Sequence, residues 1–257
     1  MIEFMMGVGI GWLPPMLNLL KESPEAAFTS ENCTWIAALH YVSRAGTSLV
    51  SIFLLDRLGR NMPFIIASVD CFLMWVLVYY SQNVYVHYFV RLLFGLSVGI
   101  YDASASIYIG ENCSPNLRGI FCGFLLASFY FGEVLEFLLC AFLSYERVAI
   151  VNCLLGLMAV LSTILLREPA QYLIMKGNTE KAEQNYDWLR DLQNPKTEQE
   201  FDDMKQYVLE EKDHAFSWDM VRSKEVIKSV RIVLMMNFLC YFCGFSAVNS
   251  FMTMAFS

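Results

Sequence analysis

The sequence predicts an all-α membrane protein of several spans, and three observations carry that prediction. The chain of 257 residues is 56% hydrophobic and 15% aromatic, with a mean hydropathy of +0.45. Only 17% of its residues are charged, against about 25% in soluble domains. The apolar residues are gathered into runs long enough to cross a hydrocarbon core, which takes about 20 residues of helix.

The runs can be taken in order. Residues 1–20 (MIEFMMGVGIGWLPPMLNLL) read as the rear part of a first span. They lack the basic n-region and small-residue cleavage site of a signal peptide. Gly9, Gly11 and Pro14-Pro15 suit a membrane helix, where neighbouring helices satisfy freed backbone groups. The second span is Trp35–Leu55, with Arg44 its one formal charge. Four more follow at about 63–80, 84–109, 119–143 and 148–166. A polar stretch comes next, and a seventh span runs from about Ile232 to Ser257. The expected division is therefore 1–166, a six-span bundle; 167–229, a polar helical segment; and 230–257, a seventh span.

Orientation follows lysine and arginine in the short loops. Arg57 and Arg60 lie in the loop between spans two and three, and Arg118 between four and five; Lys21 and Arg147 lie on the other side. The polar segment adds further basic residues, from Arg167 to Lys228. This places the DRLGR loop (56–60) and residues 167–229 in the cytoplasm. Asn32-Cys33-Thr34 is then an external N-glycosylation sequon at Asn32, and Asn112-Cys113-Ser114 an internal one out of reach of the machinery.

The polar segment reads as short amphipathic helices. Asn178 or Thr179 caps the first, and Ala182, Tyr186 and Leu189 share one of its faces. Thr197-Glu198-Gln199-Glu200 reads as a capping box, with Phe201, Met204 and Val208 following at helical spacing. Ser217 is the expected cap of a third helix.

Several function classes are excluded. The net charge of −7 argues against nucleic acid as a partner, and the excess acid lies mainly in 168–229. Cys240-x-x-Cys243 has no second pair and no nearby histidine, so it reads as helix packing rather than a metal or redox site. No cofactor is expected. There is no H-E-x-x-H, and Tyr101-Asp102 lacks the second G-x-G-D motif an aspartyl protease would need.

Four motifs, in order, resemble the sugar-porter family of the major facilitators. DRLGRN (56–61) resembles the family's D-R-x-G-R-[RK] loop motif. RLLFGLSVGIYDASASIYIGENCSPNLRG (91–119) resembles its span-four signature, R-x-x-x-G-x-x-x-G followed by an acidic residue and R-G. REPAQYLIMKGNTEKAEQNYDWLR (167–190) resembles the stretch that opens its intracellular helical domain. GWLPPML and SENCTWIAAL are similar to insect facilitated-trehalose-transporter-like members. The resemblance implies a major facilitator fold: an N-terminal six-helix bundle, an intracellular helical segment and the first helix of a second bundle. It also implies a charge network that locks the cytoplasmic side. By position, its members are Asp56, Arg57, Gly59 and Arg60 of the loop, Arg91, Glu111 and Arg118 of span four and its end, and Glu168 of the polar segment.

The sequence departs from that pattern. Asn61 replaces a basic residue. The span-five glutamine that would hold a sugar hydroxyl is Leu126, and the span-seven glutamines are Cys240 and Tyr241, with Ser246 at the following asparagine. A buried hydroxyl without a partner costs roughly 1–3 kcal/mol, so these changes bear on substrate. Leu126, Glu133, Tyr241 and Ser246 are the candidate cavity residues. Charges appear within spans: Arg44, Asp70, Asp102, Glu133 and Glu136. Such groups are functional hypotheses by default. Glu133 and Glu136 are three apart, on one helix face, and could line a cavity, bind a cation or carry a proton. Arg44 has Asp70 or Asp102 as a partner. The chain starts inside span one and stops in span seven, so a second six-helix bundle is expected as its partner. The expected function is transmembrane movement of a small polar solute, a sugar first of all, at the cell membrane, by alternating access and facilitated diffusion. The alternative is a non-transporting solute sensor, or a degenerate or partner subunit.

Overall fold

The computed structural model describes residues 1–22, 29–190, 195–213 and 223–244, and every regular element among them is helical. In chain order these are α1 (Ile2–Gly11), α2 (Leu13–Glu22), α3 (Ser30–Leu58), α4 (Met62–Tyr80), α5 (Val84–Asn112), α6 (Pro115–Phe142), α7 (Tyr145–Ile164), α8 (Ala170–Met175), α9 (Thr179–Arg190), α10 (Pro195–Asp213) and α11 (Lys224–Phe242). Four are long and apolar enough to cross a membrane: Met62–Tyr80, Val84–Asn112, Asn116–Phe142 and Tyr145–Ile164.

Local chemistry sets the ends. Thr29 caps α3 by accepting the Asn32 N–H at 3.2 Å, and Asn83 caps α5 by accepting the Tyr85 N–H at 2.9 Å; each meets an amide with no intrahelical partner. Proline opens α4 and α6, where its missing N–H costs nothing and its φ is already helical. Between α1 and α2 the chain does not turn back. Trp12 keeps φ −65° and ψ −33°, and its N–H still reaches the Val8 carbonyl at 3.0 Å. The break comes from Pro14 and Pro15, which have no N–H to give.

The bundle is built on close seams, with α3 against α5, α1 against α6, and α4 against α5 and α7. Helix α3 has 29 residues, about 43 Å at 1.5 Å per residue, yet carries a polar stripe. That stripe faces α5: Ser43 Oγ donates to the Leu92 carbonyl at 2.7 Å and Ser51 Oγ to the Gly99 carbonyl at 3.3 Å. Gly95 and Gly99 make the approach possible. A Cβ on Gly99 would stand 2.8 Å from the Arg44 carbonyl oxygen, and one on Gly95 would overlap the His40 carbonyl oxygen. Small residues four apart let helix backbones touch in a membrane. The apolar core gathers around Trp12, Trp75 and Phe94, with Trp12 edge-on to Trp75 at 5.7 Å.

A second, smaller core joins α8, α9 and α10 through Ala170, Ile174, Ala182, Tyr186, Phe201 and Val208, with Met204 against it. One expectation is narrowed and two differ from the sequence reading. Asn178 is the residue that caps α9, accepting the Lys181 N–H at 3.3 Å. Leu189 is 47% exposed, because the buried face of α9 is narrowed to Ala182 and Tyr186. Helix α10 already starts at Pro195, so Thr197 lies inside it rather than capping it; Pro195 supplies a preset φ at the first position. Helix α11 starts at Lys224, ahead of the expected span. Ser217 and Ser246, and the side chains of Asp56, Cys240 and Tyr241, lie outside the described residues.

Candidate functional site

The DRLGR turn is the start of a knot of contacts. Gly59 ends α3 with φ +97°, a conformation open to glycine at little cost. A Cβ there would also stand 2.6 Å from Glu168 Oε1. The turn sends two consecutive backbone N–H groups toward one carboxylate: Arg60 N–H donates to Glu168 Oε2 at 2.9 Å, and Asn61 N–H to Glu168 Oε1 at 3.1 Å. These amides stand just ahead of α4, so the carboxylate occupies an anion seat at a helix N-terminus.

The Arg60 side chain turns inward and is 6% exposed. Its Nε donates to Glu111 Oε1 at 3.1 Å and its Nη1 to the Leu55 carbonyl at 3.0 Å. The guanidinium lies 5.0 Å above the Tyr172 ring. Asn61 Nδ2 donates to the Leu166 carbonyl at 2.6 Å. An amide side chain thus fills a place that a lysine or arginine would have charged.

The C-terminus of α5 completes the knot. Arg118 Nη2 donates to the Gly110 carbonyl at 2.7 Å and its Nε to the Cys113 carbonyl at 3.2 Å, while Arg190 Nη2 reaches the Asn112 carbonyl at 2.7 Å. Two cations therefore meet the orphan carbonyls and negative end of the helix. Tyr108 donates to the Arg167 carbonyl at 2.9 Å, and Asn185 to the Glu168 carbonyl at 3.0 Å. Burial pushes the Cys113 thiol up, and Arg190 and Arg118 partly offset that. Four segments, the α3–α4 turn, the end of α5, the α7–α8 link and α9, are held by one set of contacts.

Gly59, Arg60, Glu111 and Glu168 are brought together, with Arg118 on the adjoining helix end. Arg57 is exposed. Arg91 is not in the knot, and its assignment there is corrected: α5 is a continuous helix, and 20 residues of it separate Arg91 from Glu111 by about 30 Å. Arg91 is instead fully buried. Its Nη1 donates to the Gly9 carbonyl at 3.2 Å, and its guanidinium lies 5.2 Å from the Trp12 ring.

The charges within spans find separate partners. Arg44 Nη2 meets Asp102 Oδ2 at 2.6 Å. Asp70 accepts from Ser97 Oγ, not from Arg44. Glu133 and Glu136 are 8% and 0% exposed, so neither stands on an open surface. Glu136 Oε1 accepts from Asn152 Nδ2 at 2.9 Å. Leu126 is 57% exposed on α6 and offers no polar atom. Sequence reasoning missed Glu3, which bonds Tyr101 and lies near Asp102 and Arg44; an acid inside MIEFMMGVGI was its signal. It also missed Asn152, Asn185 and Arg190. Asn32 is not in a loop: it sits in the first turn of α3, and its Oδ1 accepts from Tyr88 OH at 3.0 Å.

A family model described as sugar (and other) transporter matches residues 4–257. The chain belongs to the sugar transporter family. Its similarity to facilitated trehalose transporters is spread along the chain. It is 23% identical over 253 residues to Tret1 of Apis mellifera ligustica, covering 96% of this chain and 50% of that one. It is 28% identical over 163 residues to Tret1 of Bombyx mori, covering 63% of this chain and 32% of that one. The chain thus spans about half or less of these curated relatives. Among solved structures, the xylose transporter XylE from E. coli, in a partially occluded inward-open conformation, superposes with a TM-score of 0.71 at 17% identity, over 97% of this chain and 64% of that one. A second XylE structure, of the major facilitator superfamily proton:xylose symporter, matches at 0.64 and 15% identity, over 80% of this chain and 52% of that one. This sugar transporter family chain therefore has the major facilitator fold over the part it covers, and is embedded in a membrane.

Proposed function

We propose that this chain forms the first half of a transporter that moves a small polar solute, a sugar, across the cell membrane by alternating access and facilitated diffusion. The observation that carries the reading is the double grip of Glu168 on the Arg60 and Asn61 amides, with Arg60 held on Glu111. It joins the end of the helical bundle to the polar segment by polar contacts that can be exchanged for water, which suits a gate that must open. The bundle of 1–166, the cytoplasmic segment 167–229 and the seventh span from 230 then work against a second six-helix bundle, with the solute between them. The trehalose-transporter names of the relatives support a sugar as the solute. The exposed Leu126 favours a second reading, a solute sensor or partner subunit, since it removes a hydrogen-bonding group from the expected site.

The test uses residues 1–257 joined to a second six-helix bundle and reconstituted in liposomes. Labelled trehalose, glucose and xylose are offered with and without a pH gradient. The transport reading expects counterflow of at least one sugar, independent of the gradient and weakened by Glu168→Ala. Saturable binding without flux would overturn it in favour of the sensor.

A further inference from the structure

Glu136 and Asn152 are both 0% exposed where α6 meets α7. One hydrogen bond joins them, from Asn152 Nδ2 to Glu136 Oε1 at 2.9 Å. The other oxygen of each, Glu136 Oε2 and Asn152 Oδ1, is buried with no donor. Two acceptors therefore lack a donor on two side chains that already touch. Reversing the amide does not remove the need, because Oδ1 would then face Oε1 at the same distance. Buried polar atoms are nearly always paired, and an orphan calls for an explanation.

Among the described side chains, the surroundings offer no cation to balance an ionised carboxylate; α2, which also packs on α6, carries Lys21, whose side chain lies outside the described residues. Arg118 is the only basic residue of α6 and Arg147 the only one of α7, and each lies in the first turn of its helix. Helices α1 and α4 carry none. Helix α5 brings His87 and Arg91: His87 stacks on Trp12 at 5.9 Å and faces Tyr145 OH at 3.3 Å, and Arg91 gives Nη1 to the Gly9 carbonyl while its Nε and Nη2 are buried with no acceptor, so it does not reach the Glu136 carboxylate either. The remaining titratable neighbours add no positive charge. They are Glu133 one turn before, Cys140 with its Sγ 3.7 Å from Oε1, Cys153 on α7, Asp70 and Cys71 on α4, and Glu3 on α1. A charge taken out of water without a partner is strongly unfavourable, and a carboxyl so placed takes up a proton instead.

We propose that Glu136 is a proton-binding site: it holds a proton on Oε2 and, as the neutral acid, donates it to Asn152 Oδ1, closing a two-hydrogen-bond ring that clasps α6 to α7. The proton comes from solvent and forms one O–H bond; no other bond changes. The ring satisfies all four polar atoms of the pair. It stands on the packing of these two helices and does not depend on the transported solute.

Infrared spectroscopy of the full chain in lipid nanodiscs at neutral pH tests this. The wild type is expected to show a protonated carboxylic-acid carbonyl band that falls by one group in Glu136→Gln. Glutamine can also close the ring, with Oε1 accepting and Nε2 donating, so its unfolding temperature should match the wild type. Asn152→Leu keeps the acid but removes its partner, so the band should move to the higher frequency of a free acid while the unfolding temperature drops. A carboxylic-acid band unchanged in Glu136→Gln overturns the proposal, as does a Glu136→Gln chain that fails to fold.

Discussion

The backbone N–H of Arg60 donates to Glu168 across 108 residues of sequence, at 2.9 Å. The bond is made by a main-chain group, so the identity of the side chain at 60 does not create it. What creates it is the Gly59 turn, whose φ of +97° presents the amides of 60 and 61 together. The Arg60 side chain is then free to reach Glu111 instead.

Glu168 is therefore expected to matter more than its single charge suggests. Glu168→Ala leaves two half-buried amides without an acceptor, and hydrogen bonds to charged groups are worth about 1.5–3 kcal/mol each. The expected result is a loss of about 2–4 kcal/mol and faster proteolysis at the 59–61 turn. Limited proteolysis with a thermal scan in detergent checks it. Cleavage no faster than in the wild type would contradict the double grip.

Arg60→Lys tests the side-chain half of the knot. Lysine brings one point charge and cannot serve the Glu111 carboxylate, the Leu55 carbonyl and the Tyr172 face together. Breaking a buried ion pair costs about 3–5 kcal/mol when one partner is lost; the lysine variant should fall by a smaller amount and Arg60→Ala by more. Ranking the two variants by unfolding temperature decides the point.

Gly95→Leu should pry α3 from α5. Its Cβ alone would overlap the His40 carbonyl oxygen, and overpacking a tight seam costs about 1–3 kcal/mol or more. A matching leucine at Gly46, where a Cβ meets nothing, should be tolerated. Comparing the folded yields of the two variants gives the readout.

Cys113 offers a pH readout of the α5 end. Burial holds its thiol above the ordinary range, and alkylation proceeds through the thiolate. Its reaction with a water-soluble maleimide should be slow at neutral pH and accelerate as pH rises. Removing the offsetting cation in Arg190→Gln should slow it further at a given pH. A rate that does not change with pH would contradict the burial argument.

Asn32 is expected to stay unmodified. Its amide is engaged by Tyr88 at 3.0 Å within a helical turn, whereas a glycosylation acceptor is a surface-loop feature. Expression in a glycosylating host, followed by glycosidase treatment and a mobility gel, should show no shift.

The long apolar runs from Pro63 to Leu166 were legible because each needs only its own composition to declare itself. The polar stripe of α3 was harder, since His40, Ser43 and Ser51 make sense only once Gly95 and Gly99 bring α5 against them. The Arg60 and Glu168 ends of the knot could be named in advance. Arg190 and Asn185 could not, because their partners within the knot are main-chain carbonyls, which leave no mark in a sequence. Arg91 was misplaced because the motif was taken as one network, although Arg91 lies near the start of the 29-residue helix that Glu111 ends.

By itself the sequence determined that this chain is helical and lies in a membrane, because hydropathy acts residue by residue. Only the tertiary structure decided which charges are partners. Arg44 met Asp102 and not Asp70, and Glu136 met Asn152 and, among the described side chains, no cation. The reason is geometric. Pairing energies fall off within a few ångströms, and the distances between helices are set by where glycine lets two backbones meet.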